Sequence, residues 1–164
     1  SADGLTVPRT AAPVLLLSRS TPMLISQTAE YALRAMVWIV AVPPKRAVGA
    51  TELSAGTDIS VHYLRKILRR LVLAGMLTSQ RGIGGGFRLA RSPGEIRIID
   101  ILVAVDADPR TDHCAFGWGT CDSSKTCPLH DLWSSLRGAV LDWANNTTLD
   151  EVREPSLVNG HLMP

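Results

Sequence analysis

Apolar positions from Ser26 onward (Ala29, Leu33, Met36, Val37 and Val40) recur at helical spacing. With Ser26 as N-cap and Pro43-Pro44 as the stop, they predict a first helix. Thr51 to Gly56 reads as a short helix carrying Leu53 inward, and Thr57-Asp58-Ile59 turns the chain. Ser60 then caps the clearest helix of the sequence. Its apolar set Val61, Leu64, Ile67, Leu68, Leu71 and Val72 follows i, i+3, i+4 and i+7, and Gly75 supplies a left-handed stop. A short helix, a tight turn and a longer basic helix form the pattern of a helix-turn-helix. Next, Met76 to Arg81 and Phe87 to Arg91 alternate in character around Gly82-Ile-Gly-Gly-Gly86, as the strands of a glycine-tipped hairpin, or wing, would. Glu95 to Val105 is expected to begin as a third short strand and pass into a helix along Ile99, Leu102 and Val103. After a polar stretch, Leu132, Trp133, Leu136, Val140, Leu141 and Trp143 predict a long helix, with Leu149 and Val152 beyond the Asn145-Asn146-Thr147 break. Such an apolar helix outside a small winged domain implies a partner, most economically the same helix of a second copy.

The expected fold is therefore α+β and mainly α: a winged helix-turn-helix domain over residues 23–106, a cysteine-rich loop over 107–130 and a dimerisation helix region over 131–154. Residues 1–22 are read as an N-terminal extension, disordered or artefactual, with Met23 as the candidate initiator. The tail 155–164 has no periodicity and is expected to be loose. At 164 residues, 46% hydrophobic and 20% charged, the chain suits one globular domain with an appendage and excludes a disordered polyelectrolyte. No run approaches the ~18 apolar residues of a spanning helix, so no membrane partner is expected.

Net charge is only +2, so charge becomes informative through its placement. Between Ile59 and Gly94 stand seven basic residues (Arg65, Lys66, Arg69, Arg70, Arg81, Arg88 and Arg91) and no Asp or Glu. A lone basic helix is usually a solvated face. A basic helix-turn-helix followed by a basic wing suits double-stranded operator DNA, the helix in the major groove and the wing against the minor groove or phosphates. His62, Tyr63, Arg65 and Lys66 are the candidate base readers, Arg69 and Arg70 phosphate contacts or core-edge side chains, and Arg81 and Arg88 the flanks of the wing. The glycine run lacks the Lys-Ser/Thr of a phosphate-binding P-loop and opens no helix at dinucleotide spacing.

All three cysteines fall in Cys114-Ala-Phe-Gly-Trp-Gly-Thr-Cys121-Asp-Ser-Ser-Lys-Thr-Cys127, and His130 follows after two intervening residues. An odd number clustered in one polar segment disfavours a disulfide framework and fits a reducing compartment, the cytoplasm. Three soft thiolates on a glycine-containing loop can wrap an iron-sulfur cluster, the fourth ligand coming from another residue or a neighbouring chain. Zinc with three cysteines and a histidine competes, although the close Cys-x2-Cys knuckle of structural zinc is missing.

Together, Ala29-Glu-Tyr-Ala-Leu-Arg34, Ile59-Ser-Val-His-Tyr-Leu-Arg-Lys-Ile-Leu68, Gly75-Met-Leu, Arg81-Gly-Ile-Gly-Gly-Gly-Phe87, the three cysteines and His130-Asp-Leu-Trp133 resemble a known family. It is the IscR/NsrR/RsrR-like family of winged-helix iron-sulfur transcriptional regulators, matched from about Met23 to Glu154. The resemblance implies a homodimeric transcription factor whose 2Fe-2S or 4Fe-4S cluster alters DNA affinity when lost, oxidised or nitrosylated. It also implies Cys114, Cys121 and Cys127 as ligands. The fourth is implied to be His130, as in IscR-like members, or Glu30 of the partner subunit, as in NsrR-like and RsrR-like members. Arg34 stands where RsrR-like proteins carry a further histidine ligand, and the first cysteine interval is one residue longer than the IscR pattern.

Two other functions fit parts of the chain. A cluster-free regulator would use the cysteines as a direct thiol redox switch. An enzyme would need Cys114 paired with His113 or His130 as nucleophile and base, but no third orienting group is legible, so no catalytic residue is assigned.

Overall fold

A computed structural model of the chain describes residues 25–107 and 127–153, together with the backbone of 157–158 and 161–162. The N-terminal extension, Cys114, Cys121 and most of the cysteine-rich loop lie outside the described residues.

Helix α1 (Gln27–Ala41) starts where the sequence supplies a cap: the Ser26 hydroxyl accepts the Ala29 N–H at 3.2 Å. It ends ahead of Pro43-Pro44, where the missing proline N–H cannot continue the ladder. Its buried stripe is Ala29, Ala32, Ala35, Met36, Ile39 and Val40. Leu33 and Val37, expected to face inward, are only partly buried. The small alanines line the central face and let neighbouring helices approach closely, which a pattern based on large apolar residues does not register.

Helix α2 (Ala50–Thr57) and helix α3 (Val61–Leu73) pack on α1 across a turn made at Asp58, whose φ of 54° is left-handed. The turn is tied locally. Thr57 Oγ1 donates to the Leu53 carbonyl and Ser54 Oγ to the Ile59 carbonyl, each at 2.6 Å, while Ser60 caps α3 through the Tyr63 N–H at 3.4 Å. Gly56 leaves room for the Trp38 ring of α1, which any Cβ there would strike. Helix α3 buries Leu64, Ile67, Leu68 and Leu71. It ends in a Schellman motif: Gly75 at φ +71° donates to the Val72 carbonyl and Met76 to that of Leu71, both at 3.0 Å.

Strands β1 (Leu77–Gln80) and β2 (Gly86–Leu89) pair antiparallel, Leu77 opposite Leu89 and Gln80 opposite Gly86, and form the expected wing. Close to the tip, β2 is fastened to the segment before α2. Val48 and Phe87 exchange two backbone hydrogen bonds of 2.9 Å.

The third strand expected from Glu95 does not form. Pro93–Glu95 is one turn of 3-10 helix, started by Pro93 and closed by Glu95 Oε2 accepting the Ser92 N–H at 3.1 Å. Extended pairing survives as a single bridge between Arg97 and Thr148, before helix α4 (Ile98–Ala104) begins. Helix α5 (His130–Asn146) packs on α4 and stops at Thr147. There the chain doubles back: Ile98 donates to the Thr147 carbonyl at 3.0 Å and Leu149 to that of Ile96 at 2.8 Å. Leu149 is thus fully buried in the same core as Leu68 and Ile101. The Glu151 carboxylate accepts the Thr148 N–H and hydroxyl at 2.8 and 2.9 Å, which holds its pKa below the ordinary glutamate range. In the tail expected to be loose, β3 (Leu157–Val158) pairs with β4 (His161–Leu162). The intervening dipeptide in the sequence, Asn159-Gly160, is the one most favoured in two-residue hairpins. Among the described residues no helix is long and apolar enough to cross a membrane.

Candidate nucleic-acid interface and cysteine segment

The sequence that builds the core side of α3 also builds its outer side. With Leu64, Ile67, Leu68 and Leu71 turned inward, residues at positions 62, 65, 66 and 69 must share the opposite face. His62, Arg65, Lys66 and Arg69 are all exposed there. Arg65, Lys66, Arg69, Arg81 and Arg91 make no ion pair among the described residues, so their charge is available to a polyanion. Arg81 is exposed at the end of β1, and Arg88 on β2 reaches across the wing to Gln80 Oε1 at 3.3 Å.

Two of the basic-region residues are engaged within the protein. Arg70 donates to the Val105 carbonyl at 3.0 Å and pairs with Asp106 at 2.9 Å, tying α3 to the end of α4 as a core-edge side chain. Tyr63 is partly buried, its hydroxyl 2.7 Å from Thr28 Oγ1 and its ring edge-on to Tyr31 at 5.5 Å. It anchors the start of α3 to the start of α1. Sequence reasoning missed Thr28 as its partner, because a single threonine 35 residues away carries no periodic signal.

Glu30 lies in the first turn of α1, and its carboxylate pairs with Arg34 one turn on at 3.5 Å. Arg34 also donates to the Thr57 carbonyl, in the turn between α2 and α3. One guanidinium therefore spans from a candidate ligand to the helix-turn-helix, a link the sequence left unread.

Of the cysteine segment, Cys127 is described: a free thiol, half-buried, whose carbonyl accepts the N–H of His130 at 3.0 Å. His130 is the first residue of α5. The Cys127 thiol and the His130 ring are thus carried at the mouth of one helix. Among the described residues no three His, Cys, Asp or Glu side chains gather to hold a metal, and Cys114 and Cys121 fall outside them. Beyond this mouth, α5 exposes Leu132, Leu136 and Trp143, and buries Ala144 against the domain.

A family model described as "Rrf2: Iron-dependent Transcriptional regulator" matches residues 25–155. The HTH-type transcriptional regulator IscR of Vibrio vulnificus is 33% identical over 130 residues, covering 79% of this chain and 77% of that protein. Among solved structures, CymR (YrzC), the global cysteine regulator of B. subtilis, superposes with a TM-score of 0.67 at 23% identity, covering 80% of this chain and 96% of that one. The T. potens IscR structure superposes with a TM-score of 0.61 at 20% identity, covering 79% and 85%. These two establish the winged-helix regulator fold. The family match and the curated relative, together with the basic helix and wing, make the chain a DNA-binding regulator and not an enzyme. The chain belongs to the Rrf2 family of transcriptional regulators.

Proposed function

We propose that this regulator acts as a cytoplasmic homodimeric repressor. It senses redox, nitric oxide or iron-sulfur status through a 2Fe-2S or 4Fe-4S cluster held by Cys114, Cys121 and Cys127. One observation carries the reading: the segment holding every thiol of the chain ends at Cys127, directly before a helix whose apolar stripe is left exposed. A change in that segment is delivered to α5. Burying Leu132, Leu136 and Trp143 against the same helix of a second copy gives the dimer its interface.

The donor set fits the group. Thiolates are soft ligands suited to iron-sulfur clusters, and the fourth position falls to His130, beside Cys127, or to Glu30 of the partner subunit. When bound, the cluster supplies a redox- and nitric-oxide-sensitive centre. The chain's own residues do the rest. His62, Arg65 and Lys66 read base edges in the major groove, with Tyr63 fixing the helix that presents them. Arg69, Arg81 and Arg88 position the duplex through phosphates. Arg34 joins Glu30 to the Thr57 carbonyl, so a change of partner at Glu30 is felt at the turn that sets α3. A dimer reading two half-sites about one helical turn apart loses several contacts when that setting shifts, and coupling between cluster and DNA is reciprocal.

The deciding experiment is a visible absorption spectrum with iron and sulfide analysis on protein purified anaerobically. Broad visible absorption with near-stoichiometric iron and sulfide is expected, and Glu30→Ala and His130→Ala then assign the fourth ligand. A colourless, iron-free protein that cannot be reconstituted would overturn the cluster. It would leave zinc or a thiol switch on the same DNA-binding frame.

A further inference from the structure

The wing ends in a feature that phosphate contacts do not explain. Gly85 donates to the Gly82 carbonyl at 2.9 Å and closes a four-residue turn with Ile83 and Gly84 at its centre. Gly84 has a φ of +72°, the positive value required at the third position of a type II turn. Ile83 therefore stands at the outermost corner, with its whole side chain in solvent and nothing packed on it. An isoleucine this exposed gains nothing from burial within the protein, so the position invites an apolar partner.

Everything around Ile83 is shaped for a narrow, negatively charged one. The flanking positions 82, 84, 85 and 86 are all glycine, so no other side chain widens the tip. Arg81 is next but one, unpaired among the described residues, and no carboxylate occurs from residue 59 to 94. The hairpin is held just below its tip by the Val48–Phe87 hydrogen bonds, so the tip is presented at a fixed offset from α3. A single apolar knob on a slim, basic, rigid hairpin is the shape of a side chain that wedges between base pairs from the minor groove, which is only about 6 Å wide.

We infer that Ile83 is a wedge residue: it inserts between base pairs in the minor groove, partly unstacks one step and bends the duplex. The inference rests on the DNA-binding reading above. It adds a specificity that His62, Arg65 and Lys66 do not supply, favouring flexible pyrimidine–purine steps at the wing position.

The test uses the full chain, purified anaerobically, and a duplex that it selects from a random-sequence pool. The duplex is end-labelled for energy transfer and carries 2-aminopurine at successive positions under the wing. The wild type is expected to shorten the end-to-end distance and brighten 2-aminopurine at one step. Because Ile83 touches nothing, Ile83→Ala and Ile83→Ser should melt with the wild type. They should lose the bend and the fluorescence rise and bind roughly tenfold more weakly, with an unchanged salt slope because no phosphate contact is removed. Arg81→Ala should instead lower the salt slope by about one and keep the bend. An unbent wild-type complex, or Ile83 variants with full bending and fluorescence, would overturn the wedge and leave DNA binding standing. Failure to enrich any duplex would overturn both.

Discussion

Replacing Gly86 with alanine separates two reasons a wing glycine is needed. At this position a Cβ would lie 2.5 Å from the Val48 carbonyl oxygen, 2.7 Å from its carbon and 3.0 Å from its nitrogen. All three are backbone atoms that no rotamer change can move. The φ of +149° is also one that L side chains rarely adopt. Relief requires Val48 to retreat from Phe87, which breaks the two 2.9 Å hydrogen bonds joining the wing to the domain. At about 1 kcal/mol net for each bond and about 1 kcal/mol for the strained dihedral, Gly86→Ala should cost about 3 kcal/mol. That is a fall of roughly 10 °C in Tm for a domain of this size. The neighbours provide the calibration. Gly82, at φ +95° in open space, carries only the dihedral cost of about 1 kcal/mol. Gly94, with neither crowding nor positive φ, should change by less than about 0.5 kcal/mol. Urea unfolding followed by tryptophan fluorescence measures all three. Equal losses for Gly86→Ala and Gly82→Ala would show that the Val48 contact contributes nothing and would refute the account of how the wing is fastened.

Arg34→Ala removes both the half-exposed pair with Glu30 and the hydrogen bond to the Thr57 carbonyl, so denaturant titration should show a loss of about 1–2 kcal/mol. Glu30→Ala breaks only the pair and should lose no more than about 0.5 kcal/mol; equal losses would remove Arg34 as the link to the turn. A Leu132→Asp, Leu136→Asp double variant should leave the melting of the winged domain intact and shift sedimentation from dimer to monomer, because both side chains are exposed on α5. Sedimentation unchanged from wild type would place the dimer interface elsewhere.

What could be read from the sequence followed the range of the interactions concerned. Helix α3 was legible throughout, because its cap at Ser60, its apolar stripe and its stop at Gly75 are all written within 16 residues. The wing was legible because a glycine cluster between alternating segments has few other uses. Helix α1 was legible in place and in part of its face, with Ala29, Met36 and Val40 buried as expected; Ala32 and Ala35 escaped the pattern because they pack by being small and a hydrophobicity pattern weights them least. The Arg97–Thr148 bridge was invisible: it joins single residues across half the domain and leaves no repeating pattern at either end. The candidate site divides the same way. The exposed stripe of His62, Arg65, Lys66 and Arg69 follows from one helical period, whereas the inward anchoring of Tyr63 and Arg70 depends on Thr28 and on the Val105 carbonyl, both 35 residues away.

The doubling back at Thr147 gives α5 a mechanical character. Its C-terminal end is stapled to Ile96 and Ile98 through two backbone hydrogen bonds and the burial of Ala144 and Leu149. Toward its other end, Leu132 and Leu136 are exposed. Seventeen residues make a rod about 25 Å long. The helix is therefore a rod with its anchor at residues 144–149 and its opposite end at Cys127 and His130. A displacement of about 4 Å at the Cys127 end corresponds to a swing of only about 10° about that anchor. Motion at the thiol end can thus be converted into reorientation of a whole helix without any part of the winged domain unfolding.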